Sequence, residues 1–194
     1  MSHNEWNTGI ILAGGKSSRM GKDKASLTHG GQSLLERQLN LAKPFCEEVY
    51  VSSSHTRHEL SGTSRIPDQD QNEGPLMGLY SCLLHSQTDW NLVMTCDMPA
   101  ITGTDIELLL ENRPCGKSII CYANEDRLFP FPGWYHRSLL PHLKTLLDTG
   151  QRRMISFVEK NDPEKITPNT ETLSHLINLN TPEAFSDWQE NLVQ

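Results

Sequence analysis

A short apolar run, Gly9-Ile10-Ile11-Leu12, gives way at once to Ala13-Gly14-Gly15 and then to Lys16, Arg19, Lys22 and Lys24, four cations within nine positions. No other stretch constrains the chain as tightly. The β-branched run reads as a buried strand, and the three small residues after it let backbone approach a ligand closely. Concentrated positive charge beyond them suits a polyphosphate, which needs donors at close range and cations to offset its own charge. A P-loop requires G-x-x-x-x-G-K-[ST], and neither glycine-lysine pair meets it. Gly21-Lys22 is followed by Asp23 and has Lys16 where the first glycine belongs, while Gly15-Lys16-Ser17 has Ile10 at that place.

Further along, strands alternate with helices. Ser33-Leu34-Leu35-Glu36 is an S-x-x-E capping box that opens a helix with Leu34, Leu35, Leu39 and Leu41 on its apolar side, closed by Pro44. Glu48 to Ser52 reads as a second strand and Arg65-Ile66-Pro67-Asp68 as a short strand edge. Gly74-Pro75 opens a helix whose Leu76, Leu79, Tyr80 and Leu83 form a core stripe. Asn91 to Thr95 is the next buried strand, terminated by Cys96-Asp97-Met98-Pro99. Thr104-Asp105-Ile106-Glu107 reads as a second capping box, opening a helix to about Asn112, and Lys117 to Tyr122 as another strand. After a charged turn at Asn124 to Arg127, Phe129-Pro130-Phe131-Pro132-Gly133-Trp134-Tyr135 has too many prolines for a regular central strand and is expected at an edge or in a wall. Helices follow over about Ser138 to Asp148, with Gly150 as cap, and from Gln151 to about Glu159. Leu176 to Asn180 reads as the last strand, and Thr181-Pro182-Glu183 caps the final helix.

This rhythm predicts an α/β fold, a three-layer open and mostly parallel sheet covered on both faces. In such sheets ligands sit beyond the carboxyl ends of the strands. Ala13-Gly14-Gly15, Ser52, Asp68, Asp97 and Asn178 to Asn180 all fall at such ends. A chain of 194 residues fits one domain, 1–194, with residues 1–6 as a flexible tail. Seventeen Lys and Arg against 24 Asp and Glu leave a net charge of −7, which disfavours nucleic-acid and anionic-membrane partners. No apolar run is long enough for a membrane span, and Met1 to Glu5 carry no secretory signal pattern. Five cysteines (Cys46, Cys82, Cys96, Cys115, Cys121) without C-x-x-C spacing suit reduced thiols in a cytoplasmic protein. His55 and His58, three apart, have the spacing of a metal pair but no third ligand nearby, and read as surface histidines.

Leu12-Ala13-Gly14-Gly15, Ser17, Arg19-Met20-Gly21 and Asp23-Lys24 together resemble the LAGG-x-S-x-R-M-G-x-D-K signature of nucleotidyltransferases, and most closely that of the molybdenum cofactor guanylyltransferases. Asp97-Met98-Pro99, Gly150-Gln151-Arg152-Arg153 and Asn178-Leu179-Asn180-Thr181-Pro182 extend the resemblance over nearly the whole chain. It implies transfer of GMP from GTP to the terminal phosphate of molybdopterin, with release of pyrophosphate. Asp97 is then the Mg2+ ligand, though by position alone a solvated strand-end aspartate fits as well. Lys24 and Arg19 serve the triphosphate and the developing charge. Leu12, Ala13, Gly14, Gly15, Ser52 and Asp68 are expected around the nucleoside, with Asp70 as a competitor for the last role. Gly14, where cytidylyl relatives carry alanine more often, favours GTP.

For the second substrate the resemblance implies Arg152 and Arg153 on its phosphate and Asn178 and Asn180 on the pterin. Solvated surface arginines and a strand-to-helix cap are the alternatives. Two positions depart from the pattern: Ser52, where some relatives carry asparagine, and Phe129, where a histidine usually precedes the first proline. Molybdoenzymes or other cofactor-biosynthesis proteins are the further partners expected. The competing readings are a nucleotidyltransferase using CTP or a sugar phosphate, and a non-catalytic carrier of GTP or molybdopterin.

Overall fold

The computed structural model describes residues 6–14, 23–67, 74–113 and 116–191. Its organising strand is β1 (Thr8–Leu12), buried at every position and parallel to a neighbour on each side, β4 (Glu48–Ser52) and β6 (Trp90–Thr95). β5 (Ser64–Ile66) lies parallel to β4 at one edge. On the far side of β6 come β8 (Leu128–His136), β7 (Ile119–Ala123) and β9 (Glu164–Ile166), giving a seven-stranded sheet in the order β5-β4-β1-β6-β8-β7-β9. Only β8 runs against its neighbours. β2 (Thr28–His29) and β3 (Gln32–Ser33) form a separate small hairpin.

Strand alternation sends successive side chains to opposite faces. Ile10, Leu12, Tyr50 and Val93 join one core with α2 (Pro75–His85), α4 (Leu140–Asp148) and α5 (Met154–Lys160). Ile11, Val49, Val51, Leu92 and Met94 join the other, with α1 (Leu34–Ala42) and α3 (Gly103–Glu111). The three-layer, mostly parallel α/β architecture expected from the sequence is thus the one observed. The capping box at Ser33 and Glu36 is made in both directions. Pro75 sits in the first turn of α2, and Gly150 closes α4 at φ +77° with its N–H donating to the Leu147 carbonyl at 3.0 Å. Two short helices complete the chain, α6 (Thr170–His175) and α7 (Pro182–Asn191). No described helix is long and apolar enough to cross a membrane. Of the expected tail, residues 1–5 lie outside the described residues and Trp6 is exposed.

Three expectations about elements are corrected. The Phe129 to Tyr135 segment is a central strand, β8, flanked by β6 and β7 rather than lying at an edge. Its prolines are tolerated because they lie in a bulge. Phe129 pairs with Tyr122 and Gly133 pairs with Cys121, the adjacent residue of β7, so residues 130–132 have no partner and owe the ladder no N–H. The Pro130 carbonyl is satisfied inside the bulge by the Tyr135 hydroxyl at 2.7 Å.

Secondly, the last strand is not Leu176 to Asn180, which pairs with no strand; the Leu179 N–H instead donates to the Asp97 carbonyl at 2.7 Å. β9 takes the outer position, and its three residues carry too few apolar groups to announce a strand. Thirdly, the α3 capping box starts two residues earlier than expected. The Thr102 hydroxyl accepts from the Asp105 N–H, and the Asp105 carboxylate accepts from the Thr102 N–H. Aspartate rather than glutamate closes that box.

Candidate active site

A cavity of about 310 Å³ opens where β1 and β6 end. Leu12, Ala13 and Gly14 line it from β1; Thr95, Cys96 and Asp97 from β6; Asp23, Lys24 and Ala25 from a one-turn helix, Lys24–Ser26. Pro75 of α2, Phe131 of the β8 bulge and Asn178 complete the wall. The ladder between β6 and β8 stops at Val93 and Gly133, so the bulge leaves the end of β6 open on that side. Gly133 is required there: a Cβ would come within 2.8 Å of the Pro130 carbonyl and 3.1 Å of the Ile120 carbonyl.

The polar centre assembles residues far apart in sequence. The Lys24 Nζ donates to Asn180 Oδ1 at 2.7 Å and stands 3.7 Å from Asp97 Oδ2. The other carboxylate oxygen, Asp97 Oδ1, accepts from the Thr95 hydroxyl at 2.7 Å. α1 supports this loop from beneath: the Gln38 amide donates to the Met98 carbonyl at 3.0 Å and Arg37 Nε to that of Pro99 at 2.6 Å. Cys96, buried between these groups, has its thiol pushed up by burial and by the charges of Asp97 and Asp23. It is inert packing.

Of the residues singled out by sequence, Leu12, Ala13, Gly14, Lys24, Asp97 and Asn178 line the cavity, and Asn180 reaches it through Lys24. Ser52 does not. It is buried at the end of β4, beside Leu12 of β1, its carbonyl accepts the Ala13 N–H at 3.0 Å, and its side chain abuts Gly78, where a Cβ would lie 2.4 Å from Ser52 Oγ. Arg152 donates to the Leu147 and Gln151 carbonyls, and its own carbonyl lies 3.8 Å from the Cβ position of Gly74, next to the cavity-lining Pro75. Arg153 is exposed at the start of α5. Gly15, Arg19 and Asp68, with Asp70, lie outside the described residues.

Of the two histidines read as surface groups, His55 is exposed as expected, but His58 is not. It is 2% exposed, and His58 Nε2 lies 2.6 Å from Asp23 Oδ2. A polar residue facing a carboxylate from 35 positions away leaves no periodic trace in the sequence. Asp23 itself, Thr95 and Phe131 are site residues that the sequence reading gave no role. Asp23 was visible as the carboxylate preceding Lys24, and Thr95 as the hydroxyl that ends the strand two residues before Asp97. Phe129, by contrast, is core, with the Arg127 guanidinium over its ring at 4.8 Å.

The arrangement fits a hard divalent cation better than a soft one. Among the described residues no three His, Cys, Asp or Glu side chains gather to cage a metal. One carboxylate oriented by a hydroxyl at the rim of a cavity matches an ion that takes one or two protein carboxylates and completes its shell with water and phosphate oxygens.

The chain is similar to a molybdenum cofactor guanylyltransferase of Serratia proteamaculans, 32% identical over 188 residues that cover 94% of each chain. It is also similar to a "Probable molybdenum cofactor guanylyltransferase" of Flavobacterium johnsoniae, 28% identical over 185 residues covering 95% of this chain and 97% of the relative. Its fold is that of the molybdopterin-guanine dinucleotide biosynthesis protein A of Archaeoglobus fulgidus, with a TM-score of 0.81, 21% identity, and 96% and 98% of the two chains covered. Residues 9–164, from β1 to the start of β9, match the model of the MobA-like NTP transferase domain, and the chain belongs to that family.

Proposed function

We propose that this protein transfers GMP from GTP to the terminal phosphate of molybdopterin, as one cytoplasmic nucleotidyltransferase domain. The observation that carries the reading is the placement of Lys24 between Asp97 and Asn180, in the cavity that Leu12, Ala13 and Gly14 also line. The names of relatives covering nearly the whole chain support the substrates.

In this reaction an oxygen of the molybdopterin phosphate forms a bond to the α-phosphorus of GTP. The bond from that phosphorus to the bridging β-oxygen breaks, and its electron pair leaves with pyrophosphate. Both reactants are anions, so the catalyst has to offset repulsion and hold them in line. A phosphate monoester is largely dianionic at neutral pH, with its second pKa near ~6, so no general base is needed.

Lys24 places a positive charge where the triphosphate and the developing charge meet. On this reading backbone at Leu12, Ala13 and Gly14, which line the cavity, would border the nucleoside, and the resemblance assigns Gly15 to the same turn, Asp68 to the guanine donors and Arg19 to the phosphates. Asp97, held by Thr95, is the residue that would hold Mg2+, which when bound supplies charge to the phosphate oxygens. Arg152 and Arg153 are assigned to the acceptor phosphate, and Asn178 and Asn180 to the pterin.

A melting screen with each of four nucleoside triphosphates and Mg2+ tests the donor, since a ligand stabilises the state it binds. GTP is expected to raise the melting temperature most; a shift with CTP alone would move the chain to another donor. Pyrophosphate release that requires both GTP and molybdopterin separates an enzyme from a carrier. Asp97→Ala is expected to fold and to lose turnover by about 100-fold or more, and full activity of that variant at saturating Mg2+ would refute the metal assignment.

A further inference from the structure

Lys24 is held at its tip by Asn180 and Asp97, but its backbone needs an anchor of its own. The Lys24–Ser26 helix is a single turn whose C-cap is one bond, from the Leu27 N–H to the Lys24 carbonyl at 3.0 Å. Such a turn does not sustain itself. Its N-cap is Asp23, whose carboxylate accepts from the Ala25 N–H at 3.3 Å and from the Ser26 hydroxyl at 2.8 Å. Asp23 also lines the cavity, so its negative charge faces the place where a triphosphate binds and has to be both offset and fixed.

Two side chains, Arg57 and His58, do this with unequal force. Arg57 Nε donates to Asp23 Oδ2 at 3.0 Å, but its side chain is 57% exposed, and water and salt weaken such a pair. His58 makes the shorter contact, 2.6 Å, from a site 2% exposed. An ionised carboxylate only accepts, so Nε2 of His58 carries a proton. Its other nitrogen, Nδ1, meets Ser53 Oγ at 2.6 Å, and that oxygen accepts the His55 N–H at 3.0 Å. Ser53 is wholly buried, and its own N–H donates to the Ile66 carbonyl at 3.1 Å. The imidazole is thus fixed at both nitrogens, one end tied to the β4-β5 edge and the other to the residue preceding Lys24.

We infer that His58 is a positioning residue for nucleotidyl transfer, acting through Asp23 to hold Lys24 against the triphosphate. This rests on the transfer reaction proposed above for its catalytic consequence, but not for its structural one. His58 touches no cavity surface; its effect passes through a carboxylate and one turn of helix.

The test compares full-length wild type with His58→Phe, which keeps an aromatic ring and loses both bonds, and with His58→Gln, which keeps a donor for Asp23. In transfer from GTP to molybdopterin, His58→Phe is expected to lower kcat roughly 10- to 100-fold while KM for GTP moves less than about threefold. His58→Gln is expected to recover most of that loss. In the nucleotide-free protein, reductive methylation of Lys24, read by mass spectrometry, is expected to quicken roughly tenfold in His58→Phe and little in His58→Gln.

Wild-type kcat and labelling in His58→Phe, or a His58→Gln no better than it, would overturn the inference. If His58→Phe does not fold, Ser53→Ala interrupts the same relay from its buried end, and unchanged labelling of Lys24 there would overturn it equally. A wild type that releases no pyrophosphate from GTP would sink the proposed reaction, and the Lys24 labelling would still decide the role of His58.

Discussion

At the scale of single residues, the site depends on groups whose work is to orient others. Thr95 donates to one oxygen of Asp97, leaving the second turned toward Lys24. Thr95→Val keeps the shape and removes that bond, so the concentration of Mg2+ giving half-maximal turnover is expected to rise about 10-fold or more. Titrating the metal against both proteins checks it. Asp23 carries a pH signature as well. Burial pushes its carboxyl up, but the hydrogen bonds from His58 and Ser26, with the electrostatic pull of His58 and Arg57, outweigh burial and hold it below the usual range. Its ionised form therefore contributes stability that is complete above the unfolded value of about 3.9 and is lost as pH falls through the lower folded value. Urea midpoints between about pH 5 and pH 3 are expected to fall less steeply in Asp23→Asn than in wild type.

At the scale of elements, irregularity rather than regularity shapes the cavity. β8 enters the sheet centre despite two prolines because its bulge takes them out of the ladder, and the same bulge carries Phe131 into the wall. Gly133 closes the bulge against two carbonyls and the Tyr135 ring. Gly133→Ala is expected to destabilise the protein by about 1–3 kcal/mol, measured by urea denaturation. Gly31, by contrast, has open space around a Cβ. Helix ends were more legible than strand partners. Capping boxes and proline at the first turn are local chemistry, readable from four residues, and even the box misplaced by two residues identified the correct helix. Which strands lie side by side depends on contacts among residues tens of positions apart, and that information is not local.

At the scale of the molecule, the sheet is buried on both faces by two separate cores, and its ends are left for function. Central strands lose their hydrogen bonds only when the whole sheet opens, whereas edge strands fray locally. Amide exchange is expected to be slowest at Ile10 to Leu12 and Leu92 to Met94 and fastest among the strands at Ser64–Ile66 and Glu164–Ile166. Equal protection across the sheet would show that the edges are held as firmly as the centre. The parallel topology also explains how positions 12, 24, 97 and 178 come to share one cavity, since β1 and β6 deliver their following residues to the same end.

The amino-acid sequence alone determined the layered α/β class, the strand-and-glycine turn, the lysine and the strand-tip carboxylate, because each is written in neighbouring residues by period, size or charge. Only the tertiary structure decided that Ser52 packs against Gly78, that Phe131 and Thr95 border the cavity, and that a buried histidine grips Asp23. Those outcomes are distances between segments far apart in the chain. They arise from how two cores settle against one sheet, a quantity that no local pattern of side chains encodes.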